Sequence, residues 1–415
     1  MKTNLYLLIT LFTAGTLCSC IKDDYEGPDR NGEKMNVSEA IAEFTDPNLP
    51  TRTLIVYLAG DNNLSAEAEQ KIEALRQGWT WTGNKCLIYA DSKDNGARLV
   101  RLRGGCPSHP EPYLETVREY GAENSASAKT FARVLGEVRT EFPADSYGLI
   151  FFSHGSGWLP AGSLGNPSRS LGWDDGTAQG DLDHAEMEIA DFAAAIPDSM
   201  FDFIVFETCL TAGVEVAYEL RGKADYMLAS SAEIVSPGFT PIYPGALKYL
   251  CNTAQDTEKS LTAFGRAYMD YVNTNYTDDY RSATLSILDI RQISLLAIRM
   301  REMLENCSDV TASDIADLQH FDRPGRYGDT PALPRYFDLE AWVKRLGTPE
   351  QYAAFGEQLK RVVKWSEATQ SFLLSQGGFQ IEEHSGLTTY IPQPEFQALN
   401  EWYEKTSWYR ATQAK

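Results

Sequence analysis

Beyond its first 20 residues the chain has no apolar run approaching the roughly 18 residues a helix needs to cross a bilayer, which excludes a helical membrane domain for its body. Basic residues are scarce. Against 58 Asp and Glu stand 37 Lys and Arg, a formal charge of −21 over 415 residues, so no nucleic-acid partner is expected. Histidine is rarer still, with five scattered copies, and neither a CxxC nor an HxxxH pair occurs, which argues against a dedicated structural zinc site. Cysteine numbers seven, at positions 18, 20, 86, 106, 209, 251 and 307. With 43% apolar and 23% charged residues, what remains is a large globular protein with a substantial core.

The one long apolar stretch, Leu5 to Leu17, follows a basic Lys2 and has the size of a signal-peptide core. It ends in Leu17-Cys18-Ser19-Cys20, which resembles a lipoprotein box in which Cys20 is lipidated and becomes the first mature residue. Ile21-Lys22-Asp23-Asp24 resembles the signal that sends such lipoproteins to the outer face of an outer membrane. The expectation is therefore a signal peptide over 1–19, a lipidated polar tether over 20–50, and a membrane tie through that lipid only. Setting Cys18 and Cys20 aside leaves five cysteines, an odd number, so at least one thiol is free.

From Thr51 onward, short β-branched or aromatic runs alternate with helical spacing. Thr53 to Leu58, Lys85 to Ala90, Tyr147 to Ser153, Asp202 to Phe206 and Tyr226 to Ser230 are nearly continuously apolar, as expected of strands covered on both faces. Ser65 to Gly78, Ser125 to Phe142 and Asp181 to Ile196 read as the helices between them. The pattern predicts an α/β fold with a mostly parallel central sheet, its core over 51–250. Residues 251–415 read as a helical elaboration of the same domain, with helices over Glu258–Tyr276, Gln292–Glu305, Leu339–Leu346 and Pro349–Leu374. Ala283 to Ile290 is strand-like, and Gly386 to Ile391 reads as a late strand returning to the sheet.

In open α/β sheets functional groups gather at the carboxyl ends of strands. One such end is Gly60-Asp61-Asn62-Asn63-Leu64, a turn that also caps the next helix. A second is Ser153-His154-Gly155-Ser156-Gly157-Trp158, where an imidazole leaves a buried strand between glycines. A third, Glu207-Thr208-Cys209-Leu210, precedes the helical Val214 to Leu220, so Cys209 is expected near a helix N-terminus, where a thiolate is favoured. On neighbouring strands a Cys and a His make a nucleophile and a proton carrier. The plain alternatives are a buried structural thiol and a histidine that bonds loop carbonyls.

The segments around His154 and Cys209, together with Tyr57 to Leu64 and Ser385 to Pro392, jointly resemble the clostripain family of cysteine peptidases. The resemblance implies a caspase-like α/β/α sandwich, with Cys209 as nucleophile, His154 as proton carrier, and the backbone N–H groups of Gly155 and Cys209 as oxyanion hole. It further implies cleavage after Arg or Lys by a pocket in which Glu207 stands where the family has Asp, with Ser230, Ser231 and Glu233 as further substrate-binding positions. The turn Pro237-Gly238-Phe239-Thr240-Pro241 departs from the family pattern in carrying no carboxylate. Several relatives are cut between their catalytic His and Cys. Between Gly155 and Thr208 the only Lys or Arg here is Arg169, the expected self-processing site.

No cofactor is required by these residues, although Asp174, Asp175, Asp181 and Asp183 form an acidic stretch to which calcium could bind. The expected partner is a peptide or protein substrate, and the expected state a monomer. Three other readings were weighed: a silent relative that binds peptide or protein in the same crevice, a glycan hydrolase using Asp174 and Asp175, and a serine hydrolase using Ser156. Adjacent acids point apart, which fits the second poorly. Ser153 to Gly157 lacks the Gly-x-Ser-x-Gly spacing that the third requires.

Overall fold

The computed structural model describes residues 50–80, 83–106, 108–161, 163, 170–176, 185–305, 312–326, 328 and 330–413. Cys20 and its tether, Arg169, Asp181, Asp183 and Cys307 lie outside them.

Strand β1 (Arg52–Gly60) is buried along its whole length and sends alternate side chains to opposite faces. Leu54, Val56 and Leu58 enter one hydrophobic layer, and Ile55, Tyr57 and Ala59 the other. The first layer is completed by α1 (Ser65–Gly78), and the second by α2 (Ala128–Glu141) and α3 (Ile189–Ala195). A sheet covered on both faces explains why its strands read as continuous apolar runs.

β1 pairs in parallel with β2 (Lys85–Ser92) on one side and β5 (Ser146–Phe152) on the other. β8 (Phe201–Glu207) and β9 (Ala224–Ala229) extend the parallel block beyond β5. Antiparallel strands close both sides: β3 (Ala97–Arg103) and β4 (Tyr113–Gly121) beyond β2, and β10 (Thr284–Asp289) and β12 (Val363–Ala368) beyond β9. The order is β12-β10-β9-β8-β5-β1-β2-β3-β4. The chain grows from β1 first toward β2 and then toward β5. That reversal places a crevice at the carboxyl ends of β1 and β5.

The α/β sandwich is as expected, and four details differ. The helix expected over Asp181 to Ile196 begins only at Ile189, after a short strand over Ala185–Met187. β3 and β4 carry alternating charged residues because they form a partly solvated edge, which hid them from a reading based on apolar runs. The helix beginning at Pro349 stops at Val362, and the chain continues as β12, whose Trp365 packs on the layer below. The segment Gly386 to Ile391 does not return to the nine-stranded sheet. Its two strand residues, Thr388–Thr389, pair instead with β11 (Phe337–Asp338), and Thr388 N–H donates to Ala212 O at 2.8 Å. Two partnered residues suffice there because the segment lies against the loop after β8.

Candidate active site

β5 and β8 run side by side, with Phe152 opposite Glu207, so the loops that leave their carboxyl ends emerge together. Both loops are packed against each other through glycine. A Cβ added at Gly155 would lie 3.1 Å from Thr208 Cβ and 3.3 Å from Cys209 O, and one at Gly157 would lie 2.3 Å from Leu210 O. Gly157 also has φ +63°, a conformation that glycine adopts without steric cost. The structure therefore brings the His154 and Cys209 loops into direct contact.

His154 is 8% exposed. Its carbonyl accepts from Gly172 N–H at 2.9 Å, and its ring lies against Trp173 with centroids 5.5 Å apart. Nε2 lies 2.5 Å from Oδ1 of Asn63, in the turn after β1. An amide oxygen only accepts, so Nε2 carries the proton of that bond. The adjoining bridge between Gly155 and Leu171 uses Ser156 N–H, donating to Ser170 O at 2.7 Å, and the Gly155 N–H takes no part in it.

Cys209 is a partly exposed thiol outside any disulfide, whereas Cys86, Cys106 and Cys251 are buried thiols, also outside any disulfide. Burial pushes the thiols of Cys86 and Cys251 up, the latter to about 12, which leaves them inert. The Sγ of Cys209 accepts Ile234 N–H at 3.4 Å. The helix expected to polarise it, α4 (Val214–Glu219), begins only five residues later, so the nearer polarising group is that N–H. Leu210 follows in the left-handed region at φ 59°, held by Leu210 N–H donating to Ala232 O at 2.9 Å.

The loop after β9, which carries Ser230, Ser231 and Glu233, thus lies along Cys209 and Leu210. The polar groups there are already engaged. Ser230 Oγ lies 2.9 Å from Thr284 Oγ1, and Ser231 Oγ lies 3.1 Å from Nε2 of His384, whose burial drives its pKa down to about 4 and keeps it neutral. Glu233 forms a two-pronged pair with Arg323, at 2.6 and 3.0 Å.

Glu207 is engaged as well, and this was not visible in the sequence. Its carboxylate is 2% exposed and accepts from Lys71 Nζ at 2.6 Å, Phe239 N–H at 2.5 Å and Tyr243 OH at 2.7 Å. Burial pushes the carboxyl up and the Lys71 ammonium pulls it back. Lys71 belongs to α1 and Tyr243 to α5 (Tyr243–Cys251). The roles of Asn63 and Lys71 were both missed. Asn63 had a signal, its place at a strand end; Lys71 had none beyond helical spacing.

Asp174 and Asp175, weighed as an acid–base pair, face different partners. Asp174 accepts from Ser125 N–H and Oγ at 2.7 and 2.8 Å, whereas Asp175 pairs with Lys93 at 2.5 Å. Asp174 instead meets Asp61 and Asp91. One carboxylate oxygen from each lies within 4.8 Å of the others, all three are buried, and Oδ2 of Asp91 has no hydrogen-bond partner. Burial, with Asp174 and Asp61 beside it, raises the Asp91 carboxyl to about 8. Such an oxygen-only donor set fits a hard cation of the calcium type.

Residues 56–411 match the model of the Clostripain family. Clostripain of Hathewaya histolytica is 27% identical over 270 residues, which cover 57% of this chain and 50% of that protein, so the chain spans about half the length of this curated relative. Two solved structures share the fold over 88% of this chain and 99% of their own. One is an inactive zymogen C11 protease from Parabacteroides distasonis, 29% identical with a TM-score of 0.72. The other is a secreted C11 cysteine protease from Bacteroides thetaiotaomicron in complex with an irreversible peptide inhibitor, 27% identical with a TM-score of 0.73. The sheet order, the two contiguous strand-end loops and the extent of the family match lead to one conclusion: the chain belongs to the clostripain family of cysteine peptidases.

Proposed function

We propose that the chain is a cysteine endopeptidase whose nucleophile is Cys209 and whose proton carrier is His154. The observation that carries this reading is the contact of the two loops across the β5–β8 pair, with a partly exposed thiol in one and an imidazole anchored by Asn63 in the other. The sulfur attacks the scissile carbonyl, and its proton resides on His154, which passes it to the leaving amine as the acyl-enzyme forms. His154 then takes a proton from water, which attacks the thioester and releases the acid product. Because Nε2 is bonded to Asn63, this traffic is assigned to Nδ1. The N–H groups of Gly155 and Cys209 are proposed to receive the oxyanion, an interaction of several kcal/mol in such sites.

A preference for Arg or Lys before the cut needs a carboxylate able to receive a cation. Glu207 already holds Lys71 and Glu233 already holds Arg323, which supports a pocket without that preference. Cell-envelope display through Cys20 is proposed from the sequence, and the secreted Bacteroides thetaiotaomicron relative is in keeping with an extracytoplasmic place. Were calcium to bind, Asp61, Asp91 and Asp174 would hold it, and it would supply charge neutralisation beside the Asn63 turn. A monomer is proposed to suffice, since both reacting residues come from one chain.

The test compares residues 21–415 with Cys209→Ala on a peptide library varied at the residue before the cut, with and without calcium. Cleavage by the first chain and none by the second is expected. Equal cleavage by both would remove Cys209 from the chemistry, and no cleavage by either would favour the peptide-binding alternative.

A further inference from the structure

Lys71 is a charged side chain with no solvent exposure, placed by the second turn of α1 at the carboxyl end of the sheet. Burying an ammonium is costly unless it is fully partnered. This one is. Nζ lies 2.6 Å from Glu207 Oε1, 2.8 Å from Thr240 Oγ1, 3.2 Å from Pro237 O and 3.1 Å from Glu67 Oε1. It also lies over the Phe152 ring, 4.4 Å from its centroid. Three protons and four acceptors leave this ammonium saturated.

The position of this cluster relative to the nucleophile follows from one short loop. Ile234 N–H touches the Cys209 sulfur, Pro237 O touches Lys71, and Phe239 N–H touches Glu207. Glu207 itself stands two residues before Cys209 at the end of β8. One loop, Ile234 to Phe239, therefore touches both the sulfur and the ion pair. A substrate whose carbonyl sits at Cys209 directs the preceding side chain along that loop. A lysine or arginine entering there would bring a second cation against Lys71, with its counter-charge already taken.

We propose that Lys71 is the specificity-determining residue of this pocket: a built-in cation that occupies the place of a substrate's basic group and selects uncharged side chains before the cut. This rests on the peptidase reading above and deepens it. Ser230, Ser231 and the neutral His384 on the neighbouring wall add no charge to oppose the selection. Glu67, the remaining acid on Lys71, is tied to Ser236 Oγ at 2.6 Å.

The experiment uses two peptides identical except for lysine or norleucine before the scissile bond, since norleucine keeps the stem and lacks the ammonium. The wild-type chain should cleave the norleucine peptide with the higher kcat/KM. Lys71→Ala, which opens the stem's volume and frees Glu207, should raise the lysine-to-norleucine ratio at least about tenfold. Adding Glu207→Gln should abolish that gain. Cleavage by the wild type that favours lysine overturns the proposal, as does a folded Lys71→Ala with an unchanged ratio. Should Lys71→Ala not fold, the wild-type ratio and calorimetric binding of both peptides to Cys209→Ala decide, with tighter binding of the lysine peptide overturning the proposal. Absence of any cleavage and any binding overturns the peptidase reading itself, an outcome distinct from cleavage after lysine.

Discussion

At the scale of single residues, Asn63 is the side chain whose contribution is most directly measurable. It holds the imidazole by one bond to Nε2 and touches neither the sulfur nor, in the mechanism derived above, the scissile bond. Asn63→Ala should therefore lower kcat about tenfold or more, leave KM within about twofold, and broaden the pH–rate profile's dependence on His154. Steady-state kinetics over pH would show it, and an unchanged kcat would reduce Asn63 to a loop residue. His154 and Cys209 were legible in the sequence because each leaves an apolar strand for a loop, and His154 does so between small residues. Lys71 was not legible. In a helix that alternates Glu67, Glu69, Lys71 and Glu73, a lysine reads as part of a solvated face. Its partner lies 136 positions away, and only the closed sheet brings them together.

At the scale of elements, the pair β5–β8 carries the site, and its closeness depends on one missing side chain. A Cβ added at Gly148 in β5 would lie 2.3 Å from the Phe203 ring of β8, which is wholly buried with the Arg52 guanidinium above it. The ring has nowhere to withdraw. Gly148→Ala should cost about 1–3 kcal/mol of stability and also reduce kcat, by shifting the two strand ends that bear His154 and Cys209. Denaturant unfolding alongside kinetics would separate the two effects, and a variant with both unchanged would show that the ring yields. The parallel strands were read correctly because two-sided burial writes itself as unbroken apolar runs. The edge strands β4 and β12, and β3 beside β4, were not, since a strand with one wet face shares its charges with loops and helices.

At the scale of the whole molecule, the second half of the chain is built into the site. Tyr336 OH donates to Ser156 O beside His154, Thr388 N–H donates to Ala212 O beyond Cys209, and Glu215 at the start of α4 accepts Tyr390 N–H at 2.9 Å and Thr389 Oγ1 at 3.1 Å. This docking was beyond sequence reading, because residues 175 apart announce no pairing by local pattern. It has a signature in pH. Burial raises the Glu215 carboxyl to about 7, only partly offset by the bonds from Tyr390 and Thr389. An unfolded Glu ionises near its ordinary value of 4.5. Between that pH and about 7 the folded chain holds a proton the unfolded chain has lost, so stability contributed below 4.5 declines as pH rises and is gone above 7. Glu215→Gln should remove that slope and gain about 3 kcal/mol at pH 8, read by denaturant unfolding at a series of pH values. A slope identical to wild type would place the ionisation elsewhere.

The saturated ammonium of Lys71 also bears on how the protein lives with itself. A peptidase that favours basic residues is its own substrate at every exposed lysine and arginine. On the proposal that Lys71 takes that place, the chain's 37 lysines and arginines would cease to be sites of self-digestion. On that proposal, any cut between His154 and Cys209 would be the work of another enzyme of basic specificity, and the onset of activity would be governed by the company the protein keeps.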